Sequence, residues 1–428
     1  MKSKRMIRIA GALLTPLAVV GALALPAGPA SANVAWHGRH AVLFVSKQAR
    51  STNADRSCRT AAFTTIQSAV NAAPAGGTVV VCRGSYHEQV VVAKPLSLQG
   101  RRATINERHV TPTLVVSPPG IGPLTIFAGV VILSSHVDIR GFTVRNAQGE
   151  GILAAGVTGT IRDISITQNA VEHNDLGGGV PPASTYFECA AMGQIPGDCG
   201  EGIHLLAVAY STIRGNFISD NSGGVLLTDE TGPTHHNTVE SNIVTNNASD
   251  CGITVPGHNP HALSAAGVPQ PSVAGVYDNV IRNNVVTDNG QKGEGAGVLF
   301  ANAGPGTASY NNLVEGNYIA GNELSGVTLH AHTLGPGQFE DLSGNTVTGN
   351  VIGTNNTGGD PLDSPAPPQD PLTTGVLVFS GGTPIAITVA HNVIFSNAIG
   401  IWLSKAVTAT GLATNTFFDV KTPISANN

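Results

Sequence analysis

The stretch I-T-Q-N-A-V-E-H-N, residues 166–174, decides how this chain reads. Its pattern is apolar-x-x-Asn-x-apolar-x-x-Asn. The pattern returns as I-R-G-N-F-I-S-D-N (213–221), V-E-S-N-I-V-T-N-N (239–247) and I-R-N-N-V-V-T-D-N (281–289). Three further copies are V-E-G-N-Y-I-A-G-N (314–322), V-T-G-N-V-I-G-T-N (347–355) and V-A-H-N-V-I-F-S-N (389–397). A degenerate copy, I-R-G-F-T-V-R-N, ends at Asn146. Self-similarity at a fixed period identifies stacked repeats before any local propensity does.

A second signature, Gly-Ile/Val-x-apolar, accompanies the first. It stands at Gly202-Ile203-His204-Leu205, Gly224-Val225-Leu226-Leu227, Gly252-Ile253-Thr254-Val255, Gly297-Val298-Leu299-Phe300, Gly326-Val327-Thr328-Leu329, Gly375-Val376-Leu377-Val378 and Gly400-Ile401-Trp402-Leu403. Alternation at period two marks strands. One repeat therefore holds about three short strands, and its shortest spacings lie in the low to mid twenties. Asn tolerates the left-handed backbone of tight corners. Its amide both donates and accepts, so stacked Asn residues can bond from rung to rung. These features predict an all-β, three-sided parallel β-helix solenoid. A short helix over Ile66 to Ala73, capped by Thr64 or Thr65 and ended by Pro74 and Gly76-Gly77, is the expected N-terminal cap. Strands Thr78–Val81 and Val90–Val92, with a turn over Gly84–Glu88, follow it.

The first residues read as an export signal. Lys2, Lys4, Arg5 and Arg8 precede a mostly apolar run, and Ala30-Ser31-Ala32 is a cleavage pattern. We divide the chain into a signal at 1–32, an extension at 33–62 and the β-helix at 63–428, with cleavage after Ala32 and a secreted product. No later run is apolar enough for membrane insertion. A net charge of −5 with no basic stripe gives no nucleic-acid partner. Five cysteines in an exported chain suggest disulfides, whose pairing the sequence leaves open. Cys58 and Cys82 flank the first helix and strand, and Cys189 and Cys199 bound a short loop. Cys251 reads as a buried small residue.

Residues 64–92, T-T-I-Q-S-A-V-N-A-A-P-A-G-G-T-V-V-V-C-R-G-S-Y-H-E-Q-V-V-V, resemble the opening of pectin-lyase-like right-handed β-helix proteins. The Asn-rich repeats from Ile139 onward are most similar to the NosD-type repeat. The resemblance implies a right-handed, single-stranded parallel β-helix over nearly all of the mature chain. It implies no activity, because these motifs build turns and strands. The Gln and Asp of pectin methylesterases have no mid-helix counterpart, since Gln369-Asp370 lies in a Pro-rich stretch. The Asp-Asp pair of polygalacturonases is missing. Lys405 is the sole basic residue at the outward positions, which speaks against a polyanionic substrate.

Insertions point to the working face. They border the Gly-Ile/Val strand at Asp175–Gly200, Pro256–Gly275, Asn302–Tyr310, Ala331–Leu342 and Thr357–Thr374. Such insertions gather on binding faces, which predicts a groove over these strands. Strand parity turns His204, Leu226, Thr228, Thr254, Leu299, Thr328, His330, Leu377, Phe379 and Trp402 outward. Asp229, Glu230, His258, His261 and His332 lie at loop ends. Candidate catalytic residues are His204, Asp229, Glu230, His258, His330 and His332, by the suitability of imidazole and carboxylate for proton transfer. Candidate substrate-binding residues are Thr254, Thr328, Phe379 and Trp402. The alternative is polar loop residues bonded to backbone, with Phe379 and Trp402 packed beneath the Pro361–Pro371 loop. His330-Ala331-His332 is a weak metal signal and no metal site is assigned. His235-His236 reads as solvated. No cofactor is legible. A polysaccharide partner, or a non-catalytic extracellular scaffold or surface-interaction role, are the two leading expectations, with metal binding third. A monomer is expected.

Overall fold

A computed structural model describes residues 41–48, 57–117, 123–175, 200–292, 295–332, 334–357 and 373–426. The segment 1–32 expected to be an export signal, Cys189, Cys199, most of the Asp175–Gly200 insertion and the Pro361–Pro371 loop lie outside the described residues.

Parallel strands stack into rungs. One sheet, which we call the glycine sheet, carries the Gly-Ile/Val strands in unbroken order: Ile152–Ala155, Ile203–Leu206, Val225–Thr228, Ile253–Gly257, Val298–Asn302, Val327–Ala331, Thr374–Ser380 and Ile399–Leu403. Two columns of Asn-flanked strands form the other walls, for instance Thr238–Glu240 on Val280–Arg282 and Ile243–Thr245 on Val285–Thr287. A narrow fourth ribbon runs Ile161–Arg162, Val208–Ala209, Thr234–His235, Val276–Tyr277 and Ser309–Tyr310. The three-sided expectation holds, with this ribbon added at one corner. Inward Ile, Val and Leu fill the interior: Ile203, Leu205, Ile213, Ile218 and their rung equivalents are buried. β-Branched side chains suit such stacked, two-sided packing.

The Asn residues form three buried ladders. The first runs Asn169, Asn216, Asn242, Asn284, Asn317, Asn350, Asn392 and Asn415, each amide donating to the next side-chain oxygen at 2.9–3.1 Å. The second includes Asn174, Asn221, Asn247, Asn289, Asn322 and Asn355. A third, Asn237, Asn279, Asn312 and Asn345, was not read from the sequence. The corner explanation needs correcting. Positive φ falls on the residue before the ladder Asn, such as Gln168, Ser241, Asn283 and His391. The ladder Asn itself keeps an ordinary backbone and spends its side chain on neighbouring rungs.

The signature glycines have a different cause. A Cβ on Gly326 would stand 2.7 Å from the Gly375 carbonyl oxygen, and one on Gly252 would stand 2.8 Å from that of Gly297. The backbones approach too closely for any side chain.

At the N-terminal end the helix spans Ile66–Ala72, capped by Thr65, whose hydroxyl accepts from the Ser68 N–H. Glu88 adds a second cap, accepting from the Ile66 and Gln67 N–H groups at 2.8 and 2.9 Å. Ile66, Ala69 and Val70 are buried against the first rungs. Val42–Val45 pairs with Thr78–Val81, so a strand precedes the helix. Gly84–Tyr86 is a strand on Ala103–Ile105, not the expected turn. The buried Tyr86 ring, its hydroxyl donating to the Cys82 carbonyl, holds it there. Cys58 and Cys82 are disulfide-bonded. Cys251 is buried, its sulfur accepting from the Ala296 N–H at 3.2 Å.

Candidate functional site

The outward columns of the glycine sheet are as parity predicts. His204, Leu226, Thr254, Leu299, Thr328, Leu377 and Trp402 align in successive strands. Among the described residues this column does not face an open groove: nearly all of it is buried. Thr254 donates to Asp250 at 3.3 Å, and Thr328 shares a 2.9 Å hydrogen bond with Ser325. Phe379 and Trp402 pack with Leu377 in a closed apolar cluster. Both rings are buried there, at 3% and 4% exposure.

What the sheet does bring together is a buried polar relay. His204 Nδ1 lies 2.9 Å from Glu150 Oε1, and its Nε2 lies 2.8 Å from the Thr228 hydroxyl. Thr228 in turn lies near Glu230 and helps to hold its carboxyl ionised. His258 Nδ1 stands 2.7 Å from Glu230 Oε1. The inner end, Glu150 and His204, is wholly buried, whereas the Glu230 side chain retains 11% exposure. Burial opposes ionisation of Glu230, but the His258 hydrogen bond and charge, with His204 and Thr228, hold its carboxyl below the ordinary value.

Asp229 has another task. It accepts from the backbone N–H groups of His258, Asn259 and Gly275 at 2.7, 3.1 and 2.7 Å. Those bonds clamp both ends of the 258–275 loop. Burial, then the charge of Glu230, pushes the Asp229 carboxyl up to about 7 against the pull of these donors.

His330 and His332 lie elsewhere. His330 lies on the strand Val327–Ala331 and His332 just after it, three strand spacings beyond Val225–Thr228, about 14 Å away. His332 Nδ1 is 3.0 Å from Glu340 Oε1, a bond that raises its pKa. His330 packs edge-on to Phe379, and burial lowers its pKa to about 4. His261 is exposed at the loop tip.

The sequence reading missed Glu150, Glu201 and Asp250. The first two precede the signature glycine in E-G-I-L and E-G-I-H, a rung position that becomes visible once those glycines are aligned. One ligand atom from each of Glu150, Glu201 and His204 lies within 4.8 Å of the others, and all three residues are buried. Also missed was an aromatic stack. His235 lies flat on Tyr277, with centroids 4.9 Å apart and planes at 1°, and Tyr277 stacks on Tyr310 at 5.1 Å. Tyr210, 53% exposed, contacts His235 and His236 at its end. His235 is thus not simply solvated; burial lowers its pKa. The 258–275 loop joins relay and stack, because the Tyr277 hydroxyl donates to the Pro271 carbonyl at 2.8 Å.

The family model described as right handed beta helix region matches residues 127–326 and 272–417. It does not single out the NosD type. No curated protein sequence matches the chain. Solved structures of similar fold include an alginate lyase from Paenibacillus sp. str. FPU-7, at 10% identity over 91% of this chain and 100% of that one, TM-score 0.49. A GH136 lacto-N-biosidase from Eubacterium ramulus matches at 9% identity over 90% of this chain and 68% of that one, TM-score 0.50. A family 28 exopolygalacturonase from Yersinia enterocolitica matches at 11% identity over 90% and 78%, TM-score 0.46.

Proposed function

The chain belongs to the right-handed β-helix family, and on that premise we propose that it is an exported protein that binds or processes a carbohydrate beside the 258–275 loop. The observation that carries this reading is the Glu230–His258 pair, 2.7 Å apart, at the solvent end of a buried relay. A carboxylate held ionised can take a proton from a bound hydroxyl, and an imidazole beside it can receive or return one. In this reading His204 positions Glu230 through Thr228, Asp229 fixes the loop that bears His258, and the neighbouring Tyr210–His235–Tyr277 stack offers ring surface to a sugar. The carbohydrate class is the one named for neighbours such as the lacto-N-biosidase, whose likeness describes the fold alone. The Ala30-Ser31-Ala32 signal pattern and the Cys58–Cys82 disulfide support export.

One observation favours the scaffold reading instead. Phe217, Ile243, Val285, Tyr318 and Val351 form an exposed apolar column along successive Asn-flanked strands. Such a column suits contact with another surface.

The test is a panel of neutral and acidic polysaccharides, followed for binding, reducing ends and unsaturated products. An active glycan should lose turnover by ~10²–10⁴ with Glu230→Gln while binding persists. Silence across the panel, with no binding, would sink the carbohydrate reading and leave the scaffold one standing.

A further inference from the structure

We propose that Glu150, Glu201 and His204 bind one first-row divalent cation of the Zn²⁺ or Mn²⁺ kind. This inference does not rest on the carbohydrate reading.

The geometry comes from the rungs. Glu150 and Glu201 each precede a signature glycine, and the Gly151 N–H donates to the Glu201 carbonyl, so the two carboxylates stand on adjacent rungs. His204 follows Glu201 by three residues, on the strand Ile203–Leu206. The three ligand atoms lie within 4.8 Å of one another, with no solvent exposure of any of the three residues. Tetrahedral ligands about 2.1 Å from a cation stand roughly 3.4 Å apart, so small side-chain rotations close the set.

Charge points the same way. Two carboxylates packed together out of water are costly unless paired or bound to a metal. Glu150 Oε2 finds no hydrogen-bond partner among the described residues, although the residue is wholly buried. Its other oxygen and His204 Nδ1 are 2.9 Å apart, which requires a proton between them. A divalent cation replaces that proton and engages both glutamates. His204 Nε2–H would then donate to Thr228, the outer hydrogen bond that metal-bound imidazoles characteristically keep.

The next rung carries no side chain at this position, and the neighbouring carboxylates crowd it. Gly223 occupies the position of Glu150 and Glu201. A Cβ there would lie 3.2 Å from both Glu201 Oε1 and Asp250 Oδ2. Asp250, itself buried and accepting from the Thr254 hydroxyl, is the next carboxylate beyond the three. One imidazole nitrogen with carboxylate oxygens and no thiolate selects a borderline first-row cation over Ca²⁺ or Cu⁺.

The test uses the full chain, stripped with a chelator and titrated calorimetrically with ZnCl₂, MnCl₂ and CaCl₂. One Zn²⁺ or Mn²⁺ per chain is expected, with Ca²⁺ at least ~10-fold weaker. Glu201→Gln and His204→Ala should each weaken binding ~100-fold or more, and Thr228→Val ~10-fold. His332→Ala, at the separate Glu–His pair, should bind as the parent does. Mn²⁺ broadening of the His204 ring signals, sparing those of His332, checks the same assignment without any substitution. No stoichiometric uptake, preference for Ca²⁺, or undiminished binding in Glu201→Gln would each overturn the proposal. No sugar is involved, so its failure and that of the carbohydrate reading are separable.

Discussion

Replacing Asn284 by Ala should open the solenoid in the middle. The Asn284 side-chain oxygen accepts from the Asn242 backbone N–H at 2.9 Å and from the Asn242 amide at 3.0 Å. Its own amide donates to the Val239 carbonyl at 2.9 Å and to Asn317 Oδ1 at 3.0 Å. After truncation the Asn242 amide keeps the Ile213 carbonyl, and Asn317 Oδ1 keeps the Asn284 N–H. The Asn242 N–H loses its acceptor in a buried site. One stranded donor costs about 1–3 kcal/mol, and each weakened bond about 0.5–1.5. The total is about 3–5 kcal/mol. Asn283→Gly, one residue earlier, exposed and at a φ of 55° that glycine adopts freely, should change stability by less than about 0.5 kcal/mol. Because rungs couple mainly to neighbours, urea unfolding should be paired with native-state hydrogen exchange at Asn242 and Asn317. A loss below about 1 kcal/mol for Asn284→Ala, or unchanged protection at Asn242, would refute the claim that the ladder holds the rungs.

Gly326→Ala drives a methyl to within 2.7 Å of the Gly375 carbonyl, so a loss of about 2–3 kcal/mol is expected in urea unfolding. Asp229→Asn keeps one acceptor oxygen where three N–H groups need acceptors; it should cost about 2–3 kcal/mol and speed proteolysis within 258–275. His330 resists protonation down to about 4, against about 6.5 unfolded. Its contribution is therefore flat above about pH 6.5 and turns destabilising as pH falls from there toward 4, by up to about 3 kcal/mol. His332, raised by Glu340, works in the opposite sense: its contribution is present below about pH 6.5 and is lost as pH rises through its raised folded value. His330→Phe should shrink the loss of urea midpoint between pH 7 and 4.5, and an unchanged loss would count against this assignment. Removing the Cys58–Cys82 bond, 24 residues apart in sequence, should cost about 3 kcal/mol at the N-terminal cap, read by exchange of the Ile66–Ala72 amides.

The candidate site was only half legible. Parity gave the outward column from His204 to Trp402, because a strand's period of two is strict. Parity could not tell that the column is covered. Glu230 and His258 were found as loop-end polar residues. Their pairing depends on how the 258–275 loop folds back, and Asp229 governs that through three backbone donors. Glu150 and Glu201 escaped because the signature was read from its glycine onward.

By itself, the sequence determined the architecture. Spacing of Asn, apolar and Gly residues fixes rung length and register, and each is a local requirement that one rung imposes on the next. The N-terminal helix and its Thr65 cap are equally local. Tertiary structure alone decided which polar groups meet. The Glu150–His204 contact spans 54 residues and the Glu230–His258 contact 28, distances set by insertions whose paths no periodicity describes. Burial was decided there as well, since an outward strand position becomes interior when a neighbouring segment lies over it.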